Sequence, residues 1–254
     1  MKEILIIIIF LLFSLHPIIG ETEDTIKIAA GLTVEPYIIE SKDAGLEADI
    51  VREIFTLEGY KTQFVYQPLQ RTKVSFKNGT VDGVMTIKMN YPEIQNTFIS
   101  EEYITYHNFA VTLQSKKFQI GSIADLKNKK IDAFQQAKFA LGRNFQIMAE
   151  NNPDYQEIAN QRNQIAKLFG NRSEVIIIDK LIFKYHHQQL KSFSDELTKN
   201  VPLDEPVIFH NLFEPSRYRM AFKTKKLMDS FNKGLKKLQA SGRYQQIIAS
   251  YLKE

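Results

Sequence analysis

The 254-residue sequence contains no cysteine and no tryptophan, and only 11 glycines and 8 prolines. Without cysteine there is no disulfide, no thiolate zinc site, no cysteine nucleophile and no N-terminal cysteine to carry a lipid. Catalytic and nucleotide signatures are missing too. There is no Gly-x-Ser-x-Gly elbow, no Walker loop and no Gly-x-Gly-x-x-Gly fingerprint. Charge of one sign is scarce: 33 Lys and Arg against 29 Asp and Glu leave +4, too small an excess to indicate nucleic acid. Beyond residue 20 no apolar run approaches the roughly 20 residues that a membrane span needs. No solenoid-period repeat or low-complexity stretch is visible. A hydrophobic share of 44% with 24% charged residues is instead ordinary globular composition.

One apolar run is present. Ile4 to Leu15 follows Lys2-Glu3 and ends at His16-Pro17, and Gly20 precedes the polar Glu21-Thr22-Glu23-Asp24. The run is too short to span a bilayer and fits the core of a secretory signal peptide, cut after Gly20. The alternative is an uncleaved anchor. Removing residues 1–20 takes away one Lys and one Glu, so the net charge stays at +4.

Strand and helix patterns then alternate. Thr25 to Ala30, Thr62 to Tyr66 and Val81 to Ile87 read as strands. Between them lie a helix carrying Leu46, Ile50, Ile54 and Leu57, ended by Gly59, and a short helix from Gln70 to Lys77. A second unit follows, with strands at Asn108 to Gln114, Lys130 to Phe134 and Val175 to Ile178. Its helices are expected over Phe139 to Glu150, Glu157 to Phe169 and Asp179 to Leu190. Pro202 to Phe213 and Arg217 to Phe222 read as extended. Leu227, Phe231, Leu235 and Leu238 form one helical stripe, and a last helix carries Ile247, Ile248, Tyr251 and Leu252. Such alternation predicts two parallel-type α/β lobes, with the chain crossing between them near 108–114 and 206–222.

Several segments, in order, resemble family 3 of the bacterial extracellular solute-binding proteins. They are the strand TIKIAAG with its Pro36-Tyr37 loop, Gly45-Leu46-Glu47-Ala48-Asp49-Ile50, and the helix ending Lys77-Asn78-Gly79-Thr80-Val81-Asp82-Gly83. Phe98-Ile99-Ser100 with Tyr103, and Ile123-Ala124-Asp125-Leu126-Lys127, continue the series. The resemblance covers residues 22–254. It implies an α/β fold of the type II periplasmic-binding-protein kind, with two lobes joined by a two-crossing hinge. Residues 21–110 would form the first part of lobe one, 111–205 lobe two, and 206–254 the return to lobe one with the C-terminal helices. It further implies a soluble, unanchored periplasmic monomer that captures a small polar, amino-acid-like solute in the inter-lobe cleft. Its partner would be an inner-membrane ATP-driven (ABC-type) permease, with no enzymatic activity, cofactor, metal or nucleic acid. Two other readings stay open: a sensory or interaction module with an eroded ligand site, and a periplasmic dehydratase of cyclic acids.

The resemblance assigns six ligand-binding candidates. Tyr37 would lie over the solute's apolar part or ammonium, or else be a loop aromatic in the lobe core. Thr86 would offer a hydroxyl to a carboxylate at a strand end. Asp179 would receive an ammonium, or else cap the helix that follows. Arg71 would anchor a carboxylate, or else be a solvated surface residue. Glu47 would serve a cationic solute, or else complement the helix macrodipole, and Gln135 would contribute its amide. The sequence also departs from the family pattern. Ile94, after Asn90-Tyr91-Pro92-Glu93, stands where amino-acid binders carry the arginine that forks the α-carboxylate. The second-lobe Gln-Gly-Thr turn reads Gln135-Gln136-Ala137. His107, the adjacent His186-His187 pair and His210 lack metal-ligand spacing. The lysines between 223 and 237 read as the polar face of an amphipathic helix.

Overall fold

A computed structural model describes residues 24–88, 97–192, 198–199 and 201–252. The apolar N-terminal run, the Asn90 to Ile94 segment and residue 94 itself lie outside these. In the first lobe, β1 (Asp24–Ala30), α1 (Leu46–Thr56), β2 (Tyr60–Tyr66), α2 (Leu69–Lys77) and β3 (Gly83–Ile87) follow one another, then the short β4 (Phe98–Ile99) and β5 (Ile104–Tyr106). The second lobe comprises β6 (Asn108–Leu113), β7 (Ile131–Phe134), α3 (Ala137–Ala140), α4 (Arg143–Glu150), β8 (Tyr155–Ile158), α5 (Gln161–Phe169), β9 (Val175–Asp179), α6 (Lys180–Ser192) and β10 (Val207–His210). The chain then returns through β11 (Ser216–Phe222) to α7 (Lys225–Ala240) and α8 (Arg243–Tyr251).

The first sheet has the order β2-β1-β3-β11-β4, with β5 also on β11; the second has the order β10-β6-β9-β7-β8. β1 runs parallel to β2 and β3, and β11 lies antiparallel to β3. Because β10 pairs with β6 from Val207↔Leu113 to His210↔Ala110, both strands belong to the second sheet. The second sheet thus spans strands from Asn108 to His210. The chain leaves the first sheet between Tyr106 and Asn108 and returns between His210 and Ser216. His107 braces these two crossings, its Nε2 lying 2.9 Å from Asn211 Oδ1.

Local chemistry accounts for most elements. Ile50, Val51, Ile54 and Phe55 bury one face of α1 against Phe222, Phe231, Leu235 and Leu238, while Leu57 at its C-cap stays exposed. α7 shows the stripe read from the sequence, and Thr224 caps it by accepting from Leu227 N. Its lysines are ion-paired on the surface, Lys233 and Lys237 both to Glu58 and Lys225 to Asp229. Two expected helices are altered. Gly142, at φ +92, divides the 139–150 segment into α3 and α4. The 157–169 segment begins as β8, parallel to β7, because edge pairing outweighs helical spacing there; helix α5 starts only after the Asn160 cap.

Candidate functional site

The C-terminal ends of the parallel strands β1 and β3 point toward the second lobe, where open α/β sheets gather functional loops. The loop after β1 carries Tyr37, which is fully buried. Its backbone is tied to α1: Leu46 N donates to Pro36 O (2.8 Å) and Glu47 N to Tyr37 O (3.0 Å). Gly45 makes this approach possible, since it sits at φ +132 and a Cβ there would lie 2.3 Å from Tyr37 O.

Two carboxylates organise the junction. Glu47, with no exposed surface, accepts from Thr86 Oγ1 (2.7 Å) and from the Tyr103 hydroxyl on Oε1, and from the Tyr106 hydroxyl (2.7 Å) on Oε2. Burial pushes its pKa up, opposed by these three hydroxyls, and pushes the Tyr103 and Tyr106 hydroxyls up as well. Thr86 holds φ +62, a strained backbone for a β-branched residue, and its N–H donates to Tyr103 Oη (3.2 Å). Asp179, at the end of β9, accepts on Oδ1 from Leu181 N (2.8 Å), Ile182 N (3.1 Å) and Tyr37 Oη (3.0 Å), and on Oδ2 from His107 N (2.7 Å). It caps α6, and burial pushes its pKa up against those donors. The Tyr37–Asp179 bond joins a first-lobe loop to the second lobe.

Aromatic rings line this junction. Tyr37 stacks on Tyr106 (centroids 3.8 Å, 18° between planes), and Tyr106 meets Tyr218 edge-on at 5.0 Å. Lys88, the residue after β3, is half-buried with its ammonium 5.5 Å from the Tyr218 ring centroid.

The six candidates therefore divide. Tyr37, Glu47, Thr86 and Asp179 converge through Tyr103 and Tyr106. Arg71 and Gln135 do not join them. Arg71 is exposed on α2, beside a depression of about 490 Å³ shared with Leu32, Tyr66 and Val74. Gln135 is exposed ahead of α3. The adjoining turn keeps a left-handed residue, Gln136 at φ +68, and its donors are occupied: Gln136 N (2.7 Å) and Lys138 N (3.1 Å) both donate to Glu157. Sequence alone does not mark Tyr106, His107, Lys88 or Glu157, which the fold brings to this junction or to the Gln136 turn. Tyr103-x-x-Tyr106 just before the crossing was the available signal, but nothing in it points to Glu47. Among the described residues no group of three or more acidic or histidine side chains is placed to hold a metal.

His186 on α6 faces this region, its Nδ1 3.9 Å from Glu35 Oε2 without a hydrogen bond. Burial, and then the Arg162 charge, lower its pKa from 6.5 to about 4. The ring is thus neutral at pH 7, and the approach to Glu35 is not an ion pair; Tyr185 packs edge-on beside it. A depressed histidine contributes stability above its unfolded pKa that is lost as pH falls from 6.5 toward 4, here up to roughly 3 kcal/mol. His186→Leu should flatten that part of the profile, read as urea midpoints at pH 7 and 4.5. Parallel profiles for parent and variant would refute the assignment.

The sequence model of the bacterial extracellular solute-binding proteins, family 3, matches residues 26–254. No curated protein matches the chain by sequence. Several solved structures are similar. One is the GluR0 ligand-binding core in complex with L-glutamate, with a TM-score of 0.68 and 15% identity over 91% of this chain and 99% of that one. Another is an ABC uptake transporter substrate-binding protein from Streptococcus pneumoniae with bound histidine, with a TM-score of 0.64 and 18% identity over 91% and 93%. A third is a histidine kinase sensor domain with similarity to periplasmic binding proteins, with a TM-score of 0.65 and 16% identity over 91% and 97%. At these identities the likeness establishes the fold, that of the type II periplasmic binding proteins.

Proposed function

The chain belongs to the bacterial extracellular solute-binding proteins, family 3, and from that premise we propose that it captures a small polar, amino-acid-like solute between its lobes. Capture takes place in the periplasm after export on the N-terminal signal, and the loaded monomer hands its solute to an ABC-type permease. The activity is binding, with no turnover.

The Tyr37–Asp179 hydrogen bond carries this reading. It links a loop of one lobe to the strand end that caps a helix in the other, and so forms when the lobes close and breaks when they part. Tyr37, Thr86 and Asp179 form the base of the cleft, with Glu47 holding Thr86 and the hinge tyrosines in place. Arg71 and Gln135, exposed and apart from this group, are left out of the proposed binding set. Closure of the lobes on a solute removes water from it, which favours a solute whose charges meet fixed partners.

A second reading, a sensory or interaction module, is favoured by one observation. Glu157 already occupies the two N–H groups of the Gln136 turn, so those donors are not free for a solute. The similarity to a histidine kinase sensor domain agrees with it.

A thermal-shift screen of the purified protein against amino acids, amines, dipeptides, and organic and sugar acids separates the two. A micromolar ligand at tenfold excess over its Kd stabilises by roughly 1.4 kcal/mol, a rise in Tm of about 3–6 °C at this size. A response confined to one chemical class supports capture. A flat response throughout the library overturns it in favour of the module.

A further inference from the structure

Lys88 has no hydrogen-bond or ion-pair partner among the described residues. Glu47, the partner of Thr86 two residues before Lys88, has its oxygens already taken by three hydroxyls. Arg219, paired with Ile87 across the sheet, is committed to Ser100 O and Glu102. A half-buried ammonium is therefore left over the Tyr218 ring, at the same strand ends that send Tyr37 to Asp179.

We propose that the Lys88 ammonium anchors a carboxylate of the captured solute, seated beside the Tyr218 ring. The inference rests on the capture reading above and adds the class of ligand. Burying an ammonium without a counter-ion is unfavourable, and a partner arriving with the solute removes that penalty. A single ammonium, without an ion-pair partner among the described residues, matches a monoanionic carboxylate better than a phosphate dianion. Desolvation alone already lowers the Lys88 pKa, so a bound carboxylate would restore it upward. The lysine offers a point charge without the bidentate fork of an arginine. It therefore selects for charge and leaves orientation to the Tyr218 ring.

Isothermal titration tests this with L-glutamate, L-histidine, L-arginine, acetate and succinate, each beside its carboxamide or methyl ester, on the parent protein, Lys88→Met and Lys88→Arg. At least one acid is expected to bind the parent at least tenfold more tightly than its amide or ester. Lys88→Met should weaken that acid at least tenfold, and Lys88→Arg should retain most of the affinity. Without solute, Lys88→Met should melt at or above the parent, because it removes an uncompensated charge. Lys88→Gln reads the same way if the methionine variant does not fold. An acid bound equally by parent and Lys88→Met, or tight binding of neutral analogues only, overturns the Lys88 assignment and leaves capture standing. No binding of any acid by the parent overturns the assignment, and a flat response to the wider solute library as well removes capture with it.

Discussion

Glu47→Ala is expected to lower the stability of the fold by about 4 kcal/mol or more. Three hydroxyl groups, on Thr86, Tyr103 and Tyr106, converge on this one fully buried carboxylate. Alanine would leave all three without an acceptor and would open a cavity where the side chain stood. Each orphaned buried hydroxyl costs about 1–3 kcal/mol. Thr86 also loses a contact that holds it at φ +62. The corresponding fall in Tm, on the order of 10 °C, is measurable by thermal unfolding.

Glu47→Gln separates shape from charge. Its amide oxygen still accepts, but its NH₂ faces a hydroxyl that had been donating, and a loss of roughly 1–2 kcal/mol follows. The pH dependence has a definite sign. Burial raises the folded pKa of Glu47 above its unfolded value, so its contribution is fully present below the unfolded pKa and lost as pH rises through the folded one. Glutamine cannot ionise, and this loss should be absent from Glu47→Gln. Urea midpoints of parent and variant between pH 4 and 8 provide the comparison. Parallel curves would mean that Glu47 titrates as an ordinary carboxylate.

Gly45→Ala carries the second large effect, at roughly 3 kcal/mol or more. The added Cβ would meet Tyr37 O at 2.3 Å and Ile38 Cα at 2.8 Å, both backbone atoms with little room to yield. The φ of +132 is itself a region reserved for glycine. Relief requires moving the Tyr37 loop off the first turn of α1, which pulls the Tyr37 ring from Tyr106 and its hydroxyl from Asp179. Gly59→Ala is the control. Gly59 also has positive φ, +80, but nothing lies within 4 Å of its added Cβ, so it reports conformational cost alone. The near-UV circular dichroism of the stacked tyrosines should change in Gly45→Ala and not in Gly59→Ala. Equal Tm losses for the two would show that the close approach to Tyr37 carries no weight.

The candidate site was legible in part. The family resemblance names Tyr37, Thr86, Glu47 and Asp179 one by one, and the strand ends and helix start on which they sit follow from short-range pattern. That Tyr37 would reach Asp179, 142 residues away, or that Tyr103 and Tyr106 would close on Glu47 from 56 and 59 residues away, was not. The same limit hid Glu157. Its helical spacing reads well locally, yet pairing with β7 places it in a strand, where it accepts from the Gln136 turn. Arg71 and Lys88 exchange prominence for a related reason. A positive charge is visible in a sequence, but its burial and lack of a partner are not.

The sequence by itself determined what the protein does without and how its segments alternate. With no cysteine, the lobes and their hinge are held without any disulfide. Most of the order of strands and helices followed from apolar periodicity and from cap and breaker residues, all interactions within a few positions along the chain; β8, set by pairing with β7, did not. Tertiary structure alone decided where the chain crosses between the sheets, which carboxylates are saturated and that Lys88 has no ion-pair partner among the described residues. Those outcomes depend on desolvation and on contacts between distant segments, and the balance of a buried charge is a property of every group around it.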